Sequence, residues 1–286
     1  MKDTIVKAVA DGVRIYTATT TNLVNEAVRR HGLLPIAAAA LGRTLTGGLL
    51  FAANLKNDEA LTIRFAGDGP LGQIVVDATP EGYARGYVDH PEAALPLNEA
   101  GKLDVGGAVG HGFLSVTRFT GIGDPQTGSS EIVSGEIADD LTAYLAVSEQ
   151  TPSSVGLGVL VDTDFRAKAA GGFFLQPLPD ATDEVLTCLE ENLKTLRPVS
   201  DMVHDGMDAR AMIKEILKGF AHVDYLTETD LSFRCHCSKE RVEGVLLGLG
   251  RAELESLVEE GHAEVKCHFC NEAYTFDKAA LESLLK

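Results

Sequence analysis

The sequence predicts an α+β protein in three parts: an N-terminal mixed domain with an antiparallel sheet and packed helices, a helical linker, and a small C-terminal metal-binding α+β module. Three observations carry this. Short runs rich in β-branched residues, punctuated by glycine turns, alternate with helical stretches through residues 1–177. Residues 178–230 carry helical stripes on an acidic background. Within residues 231–286 fall four of the five cysteines, as one CxC and one CxxC pair. At 286 residues the chain is long enough for a main domain of ordinary size and a small one.

Residues 4–10 and 13–19 read as two strands joined at Asp11-Gly12. Asn22 is placed to cap a helix running to His31, which Gly32 ends. Pro35 then opens a long helix of small residues through Leu41, Leu45, Leu49 and Leu50 toward Leu55. It is the one stretch that tempts a membrane reading, but Arg43 in its middle and the many Gly, Thr and Ala residues favour a buried core helix.

Residues 61–66, 73–76 and 83–88 read as strands of an antiparallel sheet. Between the first two, Gly67-Asp-Gly-Pro-Leu-Gly72 matches GxGxxG. A dinucleotide loop leads from a strand into a helix, whose amides hold the pyrophosphate. This one leads into another strand, carries Asp68 and loses an amide at Pro70, so it reads as a hairpin turn. The glycine-rich 101–112 precedes strands near 113–117 and 130–134, and Gly135 leads into an amphipathic helix over 136–149. Strands at 155–161 and 167–175 follow. There is no GxSxG elbow, Walker loop or HExxH, and His31, His90 and His111 sit beside glycine or proline with no obvious nucleophile partner. The chain reads as no enzyme.

Gln176-Pro-Leu-Pro-Asp180 marks the end of the first part. Thr182 caps a helix with Val185, Leu186, Leu189, Leu193 and Leu196 on one face, ended by Pro198. Cys188, on or beside that stripe, is most simply a small buried hydrophobe. Ser200 and Asp208 start two shorter helices, the second carrying Met212, Ile213, Ile216 and Leu217. Residues 178–230 hold twelve Asp or Glu against five Lys or Arg, and three of the four methionines. That suits a segment held down only by its neighbours; an ordinary helical subdomain fits the same residues.

The first cysteine pair, Cys235 and Cys237, lies in Phe233-Arg-Cys-His-Cys-Ser238, and the second, Cys267 and Cys270, in Val265-Lys-Cys-His-Phe-Cys-Asn271. Twenty-nine residues separate the pairs, room for two helices, one after Ser238 and one after Gly250. Residues i and i+2 of an extended segment face the same way, so both sulfurs of the CxC can grip one metal while His236 points away. Four thiolates at this spacing are a zinc site, with Zn–S near roughly 2.3 Å, and leave His236 and His268 facing solvent. Redox chemistry is open as well. A Cys235–Cys237 disulfide would span about 6.5–7 Å between Cα atoms, the outer limit for such a bond, whereas the CxxC closes with less distortion. Arg234 and Lys266 precede the pairs and are expected to favour thiolate. Tyr274 and Phe276 alternate as in a strand, which argues against a thioredoxin-like motif. A module of this size has a marginal core. A structural zinc contributes roughly 10–16 kcal/mol, so losing it should unfold the module.

The net charge of −17 and pI near 4.8 speak against nucleic acid and anionic membranes as partners. Residues 231–286 hold seven Lys or Arg against ten Asp or Glu, which disfavours the alternative of a zinc-ribbon nucleic-acid binder. A zinc-ribbon binding protein with a purely structural zinc remains the alternative. Met1-Lys-Asp-Thr-Ile-Val-Lys7 reads as no signal peptide, and cysteines at metal spacing point to the cytoplasm.

Phe233-Arg-Cys-His-Cys-Ser-Lys-Glu-Arg241, Leu247-Gly-Leu-Gly250 and Cys267-His-Phe-Cys-Asn-Glu-Ala-Tyr-Thr-Phe276 resemble the zinc domain of the redox-regulated heat-shock chaperone family of thirty-three kilodaltons. The resemblance extends through Arg29-Arg-His-Gly32, Gly67-Asp-Gly-Pro-Leu-Gly72, Ile132-Val-Ser-Gly-Glu-Ile137, Ser148-Glu-Gln-Thr-Pro-Ser153 and Ala170-Gly-Gly-Phe173, nearly the whole chain. It implies a cytoplasmic holdase, inactive while reduced with zinc on Cys235, Cys237, Cys267 and Cys270. Hypochlorous acid, or peroxide with heat, would release the metal and form Cys235–Cys237 and Cys267–Cys270 disulfides. The zinc domain and linker would then unfold, and the protein would bind unfolding clients as a homodimer. Cys188 is an extra thiol that the resemblance leaves without a role.

Overall fold

The computed structural model describes residues 1–56, 58–121 and 123–285. The chain divides into two units, residues 1–234 and 235–286.

The first unit opens with the hairpin β1 (Thr4–Ala10) and β2 (Val13–Thr19), then α1 (Thr21–His31) and α2 (Pro35–Ala52). Next come β3 (Ala60–Gly67), β4 (Gln73–Ala78), β5 (Tyr83–Val88), the short α3 (Val105–Val109), β6 (Gly112–Phe119) and β7 (Gln126–Glu131). After them come α4 (Ile137–Val147), β8 (Ser154–Val161), β9 (Ala167–Pro177), α5 (Asp183–Thr195), α6 (Val199–His204) and α7 (Ala209–Ile216). Two strands, β10 (Asp224–Asp230) and β11 (Ser232–Phe233), complete the unit.

These strands form two sheets, one ordered β10-β1-β2-β9-β8 and the other β11-β5-β4-β3-β6-β7. Helix α2 packs against strands of both, and almost every residue from Ile36 to Ala52 is buried. Arg43 escapes through an ion pair with Glu136. Among the described residues α2 alone is long and apolar enough to cross a membrane, but its surface is spent on this core. Glycine lets neighbours close in: a Cβ at Gly47 would stand 2.6 Å from Leu141 Cδ1.

The other face of the five-stranded sheet is also covered. Val6, Ala8, Ala10, Val13, Ile15, Phe173 and Leu175 pack there against Leu189, Val199, Met202, Met212, Ile213 and Ile216 of α5, α6 and α7. The apolar stripes of residues 178–230 thus have a definite target, and Thr182 and Asp208 cap their helices by accepting the N–H groups of Val185 and Ala211.

Several elements depart from the sequence reading. The cap of α1 is Thr20, while the Asn22 side chain donates to Met1 O and Asp3 Oδ1. Helix α2 stops at Ala52, three residues short of Leu55. The glycine-rich stretch contains α3, started by Asp104, which accepts the Gly107 N–H. Its last turn holds the Gly67–Gly72 hairpin, Gly69 N–H donating to Val109 O at 3.0 Å. Strand β7 ends at Glu131, because the chain then bends so that Val133 and Ser134, themselves exposed, donate their N–H groups to the Asp140 carboxylate. Residues 224–230, where no strand was expected, pair antiparallel with β1.

The second unit contains α8 (Lys239–Gly248), α9 (Arg251–Glu260), the antiparallel hairpin β12 (His262–Lys266) and β13 (Ala273–Asp277), and α10 (Lys278–Leu284). Ser238 and Asp277 cap α8 and α10 through the Arg241 and Ala280 N–H groups, and Gly261 ends α9 at φ 83°. Its core is small: Val242, Leu246, Leu254, Ala263, Phe276 and Leu281.

Candidate metal centre

Both cysteine pairs lie in the second unit, on segments whose backbone fixes where the sulfurs point. Cys235 to Cys237 runs without ladder bonds into α8, with both cysteines partly buried and His236 exposed between them. Arg241 secures this segment, its Nη1 donating to His236 O at 3.0 Å. The CxxC forms the tip between β12 and β13. Cys267 N–H donates to Glu272 O at 2.9 Å, and Asn271 N–H donates to Cys267 O at 2.7 Å. Asn271 takes φ 57°, a left-handed conformation that asparagine tolerates better than most residues.

The fold thereby gathers four sulfurs. Cys235 Sγ lies 3.7 Å from Cys267 Sγ and Cys237 Sγ 3.3 Å from Cys270 Sγ, and all four atoms lie within 4.8 Å of one another. A tetrahedral thiolate site with bonds of about 2.3 Å has sulfur–sulfur edges of roughly 3.8 Å. The arrangement fits a single metal ion. His236 and His268 are exposed, outside the cluster.

The electrostatics point the same way. Burial raises the Cys267 thiol above its ordinary value and pushes Cys270 much further up. Tyr274 donates its O–H to Cys237 Sγ at 3.2 Å, and that bond holds its own proton more tightly. The cations expected to favour thiolate are engaged elsewhere. Lys266 Nζ sits 3.4 Å from Glu264, and the Arg234 guanidinium stacks 4.5 Å from the Tyr83 ring centre in the first unit. A cation bound among the four crowded sulfurs would offset the charge of their thiolate forms.

Cys188 is half-buried rather than core, its Sγ 3.7 Å from Lys218 O. Helix α5 turns Leu189 into the core and leaves its neighbours toward the rim. The sequence marks Tyr274 only as a strand residue; its contact to Cys237 depends on β13 meeting a segment 37 positions away.

The chain matches the family model described as Hsp33 protein over residues 3–277. The chain belongs to the Hsp33 family. Named relatives of similar length agree: the 33 kDa chaperonin of Desulforamulus reducens is 50% identical over 289 residues, covering 100% of this chain and 98% of the relative. The 33 kDa chaperonin of Bacillus subtilis is 49% identical over 286 residues, covering 99% and 98%. The crystal structure of the Thermotoga maritima Hsp33 homologue superposes with a TM-score of 0.92 at 37% identity, covering 99% of this chain and 97% of that one. Hsp33 membership carries a chaperone function, exercised on client proteins, and the α+β architecture with its four-cysteine cluster is shared ground with that assignment.

Proposed function

We propose that this chaperone is a redox-regulated holdase whose switch is the four-cysteine module. In this reading residues 1–177 are the core domain, 178–230 the linker and 231–286 the switch. The observation that carries it is the gathering of Cys235, Cys237, Cys267 and Cys270 on a module with a small apolar core. When bound, Zn²⁺ holds these side chains as thiolates and ties the start of the module to its hairpin.

Oxidation removes the donors. A sulfur of the Cys267/Cys270 pair attacks peroxide, breaking the O–O bond and becoming a sulfenic acid as the first water leaves. The second sulfur displaces the hydroxyl as the second water, so two thiolates, one peroxide and two protons from solvent give a disulfide and two waters. This pair reacts first because a CxxC turn closes with little distortion; Cys235 and Cys237 follow. The module then keeps a core too small to hold it folded. Only Arg234 separates β11 from Cys235 in the chain, and we assign release of residues 178–230 to unfolding that spreads along the chain from the module. Release uncovers Val185, Leu189, Met212 and Ile216 together with the sheet face beneath them. Such surface binds unfolding clients without sequence preference and performs no chemistry on them. A homodimer is the active form, the cytoplasm the compartment, and neither nucleic acid nor membrane a partner.

The test is light scattering from a thermally aggregating client, with zinc release followed in parallel. Peroxide-treated protein should suppress aggregation and release about one zinc per four thiols. Reduced, zinc-loaded protein should not suppress it. Equal suppression by both forms leaves only the structural-zinc alternative.

A further inference from the structure

Strand β10 is an exposed edge of the five-stranded sheet. It lies at the edge, paired only to β1, and most of its residues are exposed, Leu226 at 58%. Its pairing is broken by a bulge opposite Lys7 and Ala8. Two ion pairs fasten it, Arg210 Nε to Glu228 at 2.9 Å and Lys2 Nζ to Asp230 at 2.7 Å, all four side chains well exposed. Exposed pairs of this kind are worth little. By contrast β1 is core, with Ile5, Val6, Ala8 and Ala10 buried.

The strand also belongs to what the proposed switch releases. The Arg210 guanidinium of α7 stacks 4.6 Å from the Tyr225 ring centre, and Tyr225 packs with the cluster beneath the linker helices. If α7 lifts away, β10 loses the Arg210 contacts to Tyr225 and Glu228. Its departure would leave β1 with an open row of N–H and C=O groups from Thr4 to Val9, beside the newly uncovered face of Val6, Ala8 and Ala10. An open edge next to an apolar face is a template for strand addition.

We propose that β1 is a masked client-binding edge, that β10 is its internal stand-in, and that an extended segment of an unfolding client replaces β10 after activation. The inference rests on the holdase reading and gives it a geometry. In the register seen here Tyr225 opposes Ala8 and Glu228 opposes Val6. The fitting client segment is therefore β-prone, with apolar side chains at the positions that face the uncovered sheet.

The experiment uses the full chain and a fluorescein-labelled peptide of residues 223–231, read by anisotropy. Two further peptides carry backbone N-methyl groups, one at the positions of Thr227 and Thr229, the other at Glu228 and Asp230, so that each blocks a different edge of the strand. The receptors are the peroxide-activated chain and a reduced chain carrying Thr227→Pro and Glu228→Pro, which cannot pair its own β10. The peptide should bind either receptor, and the unaltered reduced chain about a hundredfold more weakly, because its own strand competes intramolecularly. One methylated peptide should lose binding while the other keeps it. Failure of both receptors to bind, or equal binding of both methylated peptides, overturns the inference. If the activated chain still suppresses client aggregation in that case, the holdase reading survives; if it suppresses nothing, both fall.

Discussion

Asp140 is fully buried in the first turn of α4, where its Oδ1 accepts the N–H groups of Val133 and Ser134 at 2.7 and 3.0 Å. Its Oδ2 is buried and meets no hydrogen-bond partner. Burial raises the carboxyl pKa above its ordinary 3.8, with the neighbouring Asp139 adding to the rise. A raised value means that the folded chain holds this proton more tightly than the unfolded chain. The stabilisation is complete below 3.8 and is lost as pH rises through the folded value, leaving a strained anion at neutral pH. Asp140→Asn keeps an accepting oxygen for both amides and removes the charge. The variant should therefore be more stable than the parent at pH 7, with the gain lost at pH 3, where the parent's carboxyl has taken up its proton. Thermal melts at the two pH values check this, and a variant less stable at pH 7 than the parent refutes it. Nothing in the sequence marks Asp140, because the helical stripe of Ile137, Leu141, Tyr144 and Leu145 leaves it on a polar flank. The four cysteines were legible for the opposite reason: a tetrahedral thiolate site imposes a spacing that survives in the sequence, whereas a turn's demand for a carboxylate does not.

Among the elements, legibility followed how far each one is determined locally. The ranges of β1 and β2 are readable from their β-branched residues, and the starts of α5, α7, α8 and α10 from Thr182, Asp208, Ser238 and Asp277, whose side chains do cap them. Strand β10, with its acidic Asp-Tyr-Leu-Thr-Glu-Thr-Asp, has little strand character of its own and exists because β1 offers it a ladder. Helix α6 is likewise placed by what it meets. A Cβ on Gly158 of β8 would lie 2.5 Å from Ser200 N and 3.1 Å from its Cβ, so the absence of a side chain is what lets α6 sit down on the strand. Gly158→Ala should lift α6 at a cost of about 1–3 kcal/mol and loosen the cover of the five-stranded sheet with every cysteine intact. Under the holdase reading, that variant suppresses client aggregation partially while still reduced and zinc-loaded. Gly244→Ala in α8, where nothing lies within 4 Å, serves as the control and should behave as the parent. Identical light scattering from the two variants would remove α6 docking from the mechanism.

On the scale of the whole molecule, composition suggested a linker from residue 178 onward, whereas the folded chain divides between Arg234 and Cys235. The difference is physical. Acidic, methionine-bearing helices read as a segment held down by its neighbours, and their stripes are spent on a sheet built from residues 4–19 and 154–177. No local pattern records a partner so distant in sequence. The two units also differ in what sustains them. The first has two sheets around a buried helix and a second apolar cluster under α5, α6 and α7. The second has a small apolar core around Phe276 and Leu281 and a four-sulfur cluster that joins its first residues to its hairpin. Roughly 10–16 kcal/mol of apparent metal-binding energy exceeds what so small a core supplies, so the units should part company when the metal is removed. Chelation under reducing conditions, followed by hydrogen exchange, should leave the amides of 239–285 exchanging at near-unfolded rates. Those of α2 and of strands β2, β3, β4 and β9 should stay protected. Protection persisting across 239–285 would mean that the second unit folds on its hydrophobic core alone, and the cysteine cluster would lose its standing as a switch.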